Sequence, residues 1–211
     1  MPKTWIVTAI AVLLTGGSAW AQVETDIQGI EGPVSAIVMG SGHHAVIALH
    51  GGSGNDRHFF FLGKGGQLGR KLANAGFLVI AVTWSGRDGG FREIDAAIAH
   101  ARDAGASKIS LMGHSRGGEL AANYALSQPD GTLDTVIQLS SSDDHGLSMT
   151  LTKKLFAFNK WDPVAAWQPA AYEKSLPPRQ KIELGGSGHA VSALISEKPD
   201  LVRDVVTLLR Q

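Results

Sequence analysis

Two rhythms of apolar and polar positions alternate along the chain. Short, nearly continuous apolar runs, several rich in β-branched residues, fall at residues 34–39, 45–49, 77–83, 108–112, 135–139, 155–158 and 181–184. Runs of that length predict strands, most of them buried on both faces. Between them lie segments of helical period, at residues 68–75, 91–104 and 117–128, with a last helix within 191–209. In 91–104 the residues Ile94, Ala97, Ile98 and Ala101 share one face, and Gly105 follows as a C-cap. Gly76 and Pro129 stop the neighbouring helices in the same manner. Strand and helix in regular alternation predict an α/β fold, a mostly parallel sheet with helices on both faces. No internal repeat, low-complexity tract or linker interrupts it, so residues 22–211 are expected to form a single domain.

The first residues follow neither rhythm. Lys3 is the only charge before Glu24, residues 5–14 are apolar, and Ala19-Trp20-Ala21 ends the stretch. A basic start, an apolar run too short to span a bilayer and a small-x-small site are the marks of a secretory signal peptide. Cleavage after Ala21, a mature start at Gln22, and export to a periplasm or the exterior are expected. No stable membrane insertion is expected of the rest.

Composition narrows the chemistry. Lys+Arg and Asp+Glu both number 19 in 211 residues, and no basic run stands out; nucleic acid is not the expected partner. There are no cysteines, which removes disulfides, thiolate metal sites and thiol nucleophiles.

One motif gives the chain a candidate activity. Gly113-His114-Ser115-Arg116-Gly117 matches G-x-S-x-G, follows an apolar strand and opens a helix. Glycines at 113 and 117 remove the Cβ atoms that a sharp strand-to-helix turn would bring into collision. Gly118, Ala121 and Ala122 keep that helix thin enough to lie close to the sheet. The turn would expose Ser115 Oγ, and the Arg116 N–H at the helix start would face a developing oxyanion. A serine hydroxyl needs a base, and His189 lies directly after the last predicted strand, in Gly185-Gly186-Ser187-Gly188-His189-Ala190. Asp162, in Trp161-Asp162-Pro163-Val164 after the 155–158 strand, is the candidate acid.

In this order, nucleophile, acid, base, the chain resembles the α/β-hydrolase superfamily from about residue 34 to 209. The carriers are Leu49-His50-Gly51-Gly52-Ser53-Gly54, Gly113-His114-Ser115-Arg116-Gly117-Gly118, Trp161-Asp162-Pro163-Val164 and Gly188-His189-Ala190. The resemblance implies a sheet of about seven or eight strands and a serine hydrolase acting on a carboxylic ester or related acyl bond. It implies the triad Ser115, Asp162, His189, with no metal or organic cofactor and a small-molecule substrate. It also implies an oxyanion hole from the N–H groups of Arg116 and Gly52, with Ser53 the neighbouring candidate. Non-catalytic binding on the same fold, and peptide or thioester cleavage by the same triad, remain alternative readings. Two departures stand out. The chain is short at its front, which suggests seven strands. Residues 140–153 leave no room for the cap that many relatives insert, so an open, shallow site is expected.

Other residues compete for roles. Asp143 or Asp144, after the 135–139 strand, is the second candidate for the triad acid. Asp143-Asp144-His145 as a metal site is the lesser reading beside a solvated loop. His43-His44 reads as a plain turn pair, and His114 as packing beneath Ser115. The Arg116 side chain is expected to close a surface ion pair, with recognition of an acidic substrate the lesser reading. Gly63-Lys64-Gly65-Gly66 lacks phosphate-loop spacing and reads as a flexible connection. Trp84 and Trp161, with Phe59-Phe60-Phe61, fall near the expected catalytic edge, where each reads first as a core-rim residue and second as part of an acyl or alcohol pocket. Trp84 and Trp161 are the candidate substrate-binding residues.

Overall fold

The computed structural model describes residues 21–52, 55–85 and 90–211. Eight strands form one sheet in the order β1-β2-β4-β3-β5-β6-β7-β8. They are β1 (Val23–Gly29), β2 (Gly32–Met39), β3 (His44–Leu49), β4 (Leu78–Val82), β5 (Lys108–His114), β6 (Thr135–Leu139), β7 (Lys153–Asn159) and β8 (Arg179–Leu184). The six strands β3 to β8 are parallel, and β2 alone runs against them. In β4 and β6 every residue is buried, as a strand covered by helices on both sides requires.

Six helices cover the two faces: α1 (Leu68–Asn74), α2 (Phe91–Asp103), α3 (Arg116–Ser127), α4 (Gln168–Lys174), α5 (Val191–Glu197) and α6 (Leu201–Arg210). One core layer joins Ile47, Leu49, Ile80, Leu111 and Phe156 of the sheet to Ile94, Ala97 and Ala101 of α2 and Ala121, Ala122 and Ala125 of α3. The other joins Val46, Val79, Met112, Ile137 and Leu155 to Leu68 and Leu72 of α1, Val191 and Leu194 of α5, and Leu201, Val205 and Leu208 of α6. Period-two side-chain alternation along the strands feeds both layers. Gly105 adopts a left-handed conformation (φ 89°) after α2, as the C-cap reading expects.

The sheet has eight strands, within the seven or eight expected; β1, Val-Glu-Thr-Asp-Ile-Gln-Gly, is an edge strand and mostly exposed, so it carries no apolar run. Differences from the sequence reading have local causes. The 191–209 segment holds two helices, because Lys198 before Pro199 leaves the helical region (φ −129°, ψ 85°). The short α4, with proline in its first turn, was not expected. Phe59–Phe61 forms a 3₁₀ turn whose three residues are buried, in keeping with a core-rim position, and Phe59 stacks on His114. Gly63–Gly65 is a second such turn, packed so closely that a Cβ on Gly65 would lie 2.0 Å from the Phe59 carbonyl oxygen. It is therefore not a loose connection. Among the described residues no helix is long and apolar enough to cross a membrane. Residues 1–20 of the expected leader, 1–21, lie outside the described residues, as do Ser53 and Gly54.

Candidate active site

Parallel strands bring their carboxyl ends to one edge of the sheet, and that edge is where an open α/β sheet presents its crevice. Ser115 follows β5, Gly52 follows β3, Trp84 follows β4, Asp162 follows β7 and His189 follows β8. Five segments far apart in the chain thus meet at one rim.

The turn at Ser115 is strained. Its backbone sits at φ 54°, ψ −125°, outside the regions open to most side chains. The surroundings hold it there: Ser115 N–H donates to the Leu139 carbonyl at 3.0 Å, and Gly118 N–H donates to the Ser115 carbonyl at 2.8 Å. The two glycines act as the sequence implies. A Cβ on Gly113 would lie 2.0 Å from the Gly117 oxygen, and one on Gly117 would lie 2.1 Å from the Leu49 oxygen. A Cβ on Gly118 would lie 2.7 Å from that of Ser141, so the start of α3 is pressed against both neighbouring strand ends.

The acid and the base candidates are joined. His189 Nδ1 donates to Asp162 Oδ2 at 2.7 Å, and Asp162 is 1% exposed. Asp162 Oδ1 accepts the Val164 N–H at 3.0 Å, which fixes the carboxylate plane. With its Nδ1 proton committed, a neutral His189 has a bare Nε2, the atom a general base uses. The loop carrying His189 is tied at three points. Asn159 Nδ2 donates to the Gly188 carbonyl at 2.7 Å, Trp161 N–H to the Gly186 carbonyl at 2.9 Å, and His114 Nε2 to the His189 carbonyl at 2.9 Å. The last bond anchors the base loop to the residue before Ser115. No hydrogen bond joins Ser115 Oγ to His189 among the described residues; catalytic bonds of this kind often close only when substrate is bound.

Asp143 and Asp144 are placed elsewhere. Asp143 Oδ1 accepts the His145 N–H at 2.9 Å and lies 2.6 Å from His145 Nδ1, while its Oδ2 accepts Gln138 Nε2 at 3.2 Å. Burial pushes the Asp143 carboxyl upward from its ordinary value. Asp144 pairs with Lys174 at 2.9 Å. The Asp143-Asp144-His145 trio does bring its ligand atoms within 4.8 Å of one another. Asp144 is paired with Lys174 and Asp143 is bonded within its own loop.

His114 packs beneath the elbow, as expected. Its ring stacks on Phe59 (centroids 4.7 Å apart) and sits 4.7 Å from the His189 ring. Since Nε2 donates to a carbonyl, Nδ1 is unprotonated, and it is buried without a partner. Burial lowers the His114 pKa to about 4. The neutral ring is therefore a structural wedge and not a second base.

The loop after β3 lies against the elbow. A Cβ on Gly51 would be 3.2 Å from Ser115 Cβ, and one on Gly52 would be 3.4 Å from Arg116 Cδ. Neither Gly52 N–H nor Arg116 N–H donates to another group among the described residues. His50 braces this loop: Nδ1 donates to the Gly51 carbonyl at 2.7 Å, and Nε2 accepts Trp84 N–H at 3.3 Å. Burial lowers the His50 pKa, which keeps the ring neutral and able to both give and accept. The Trp84 indole stacks on His50 and donates to its carbonyl at 3.1 Å. No local pattern signals this bracing role, because it depends on β4 lying beside β3.

A cleft of about 200 Å³ is lined by His50, Gly51, Gly52, Asn55, Trp84, Ser85 and Arg116. Trp84 thus lines this cleft. Trp161 is 64% exposed, with Lys160 Nζ 5.0 Å from its ring centre, and does not line that cleft. The surface ion pair expected of Arg116 is not formed among the described residues. Residues 140–152 run between β6 and β7 without a helix, so no cap is inserted there.

No protein-family profile matches the chain, and no curated protein matches it. Solved structures do. An esterase of Pyrococcus furiosus aligns with a TM-score of 0.73 at 11% identity, covering 91% of this chain and 93% of that one. An esterase from Exiguobacterium antarcticum aligns with a TM-score of 0.71 at 14% identity, covering 90% and 100%. A dienelactone hydrolase from Anabaena variabilis aligns with a TM-score of 0.64 at 18% identity, covering 90% and 95%. With its strand order and these likenesses, the chain has the α/β-hydrolase fold.

Proposed function

We propose that the protein is an exported serine hydrolase that cleaves carboxylic esters through Ser115, Asp162 and His189. The reading is carried by one observation: a buried carboxylate bonded at 2.7 Å to a histidine whose loop is anchored beside a strained serine turn. Strain of this kind persists only where the surrounding structure enforces it, and it concentrates at functional positions. In this mechanism Ser115 Oγ attacks the ester carbonyl carbon while His189 Nε2 takes its proton. Asp162 holds the imidazole tautomer and stabilises the cation that forms. The N–H groups of Arg116 and Gly52 receive the oxyanion. His189 then returns the proton to the leaving alcohol, and water repeats the sequence on the acyl-enzyme. No step calls for a metal or an organic cofactor.

That several structural neighbours are esterases favours esters over peptides or thioesters as the substrate class. Export rests on the leader-like residues 1–21, and residues 22–211 are proposed as one catalytic domain. The deciding experiment is labelling with a fluorophosphonate alongside hydrolysis of a short-chain aryl ester. Both should occur in the parent protein and vanish in Ser115→Ala, with the melting temperature retained. Labelling that survives Ser115→Ala overturns the nucleophile. A folded protein that neither labels nor turns over leaves the alternative of a non-catalytic binding protein.

A further inference from the structure

The elbow carries a cation beyond what ester cleavage requires. Arg116 supplies a backbone N–H, a role any residue could fill, yet its side chain is placed in a particular direction. A Cβ added at Gly52 would lie 3.4 Å from its Cδ, so the aliphatic stem approaches the Gly52 loop. Arg116 is exposed and lines the 200 Å³ cleft, and its guanidinium meets no carboxylate among the described residues. The other described lining groups are the neutral His50, Asn55, Trp84 and Ser85 and the glycines Gly51 and Gly52; among the described residues none is acidic. A guanidinium stays charged at every working pH and prefers a planar oxyanion partner. The described part of the cleft measures about 200 Å³, which suits a short chain.

We propose that the site prefers short esters whose acyl half bears a second, free carboxylate, which Arg116 binds. This rests on the serine-hydrolase reading above. The cleft begins at the loop that would receive the acyl carbonyl oxygen, so the carboxylate belongs to the acyl half and not to the alcohol. Asn55 Nδ2, which reaches back to the Gly52 carbonyl at 3.4 Å, stands on the same wall as a second donor.

Three esters of matched length and different charge test it: monoethyl succinate, ethyl levulinate and ethyl 4-aminobutanoate. The expected order of kcat/KM is anion, then neutral, then cation, with the anion favoured over the neutral ester by about tenfold. Arg116→Gln should bring the anion-to-neutral ratio down to near one, and Arg116→Lys should restore part of it. Raising the salt to 0.5 M should also compress the ratio in the parent protein, since an exposed pair is screened. A ratio near one in the parent, or a ratio that Arg116→Gln leaves unmoved, overturns the inference while turnover of ethyl levulinate keeps the hydrolase reading. Absence of turnover on all three esters, together with absence of fluorophosphonate labelling, overturns both.

Discussion

At the scale of single residues, two side chains lend themselves to decisive substitutions. Asp162 has one oxygen on His189 and the other on a backbone N–H, so Asp162→Asn keeps the shape and inverts one hydrogen-bond role. It should lower kcat by up to about 10⁴, because the amide favours the wrong imidazole tautomer. Asp143→Asn, by contrast, changes a carboxylate committed to His145 and Gln138, and steady-state kinetics should show little effect on kcat. The reverse outcome would move the acid to Asp143. His114 governs a different property. Its pKa falls from 6.5 when unfolded to about 4 when folded, so the unfolded chain binds a proton there that the native state refuses. The stability this provides is fully present above about pH 6.5 and is lost as pH falls toward 4. While it lasts, the slope is ~1.4 kcal/mol per pH unit. His44 and His50, also held low by burial, slope the same way, whereas His58, raised by Glu24, slopes the other way. Denaturant titrations between pH 4 and 6.5 should show His114→Phe with a slope shallower by about one proton; an unchanged slope would refute the buried neutral ring.

At the scale of elements, the site depends on how closely α3 approaches the ends of β3 and β5. Gly117→Ala would force its Cβ to within 2.1 Å of the Leu49 oxygen and 2.4 Å of the His50 oxygen, both backbone atoms with little room to yield. We expect a loss of about 1–3 kcal/mol or more in chemical denaturation, and a further loss of kcat, because Gly52 would be pushed away from Arg116. Gly63→Ala meets nothing within 4 Å and should stay within about 0.5 kcal/mol of the parent. This same tight approach is why so much of the site was legible in the sequence. Gly113, Gly117 and Gly118 each answer a collision, and together they mark the turn in the sequence. The Asp162–His189 pairing was legible as well, since both residues follow strand signals that register places side by side in β7 and β8. What escaped was whatever leaves no apolar periodicity. β1 is polar because it lies at an edge, and α4 is a single short helix opened by a proline.

At the scale of the whole molecule, the absence of an inserted cap between β6 and β7 bears on kinetics. A lidded lipase gains rate when an oil surface opens its lid. Here ordinary saturation is expected on short soluble esters, with no jump in rate as the substrate passes its solubility limit; such a jump would contradict the lidless reading. Processing is a second property of the full chain. Protein recovered from an exporting host should have the intact mass of a chain beginning at Gln22, and a mass that retains residues 1–21 would refute cleavage there. The two outermost strands have a consequence of their own. β1 carries Glu24 and Asp26, and β8 carries Arg179, Lys181 and Glu183, on partly or fully exposed positions. An unpaired strand border invites a foreign strand to add on, and charge is the usual guard against that. With both borders guarded, sheet-to-sheet addition is discouraged at either end. A crowded solution of the folded protein should therefore resist fibre growth, and any lasting association would have to use a helical face or the loop rim.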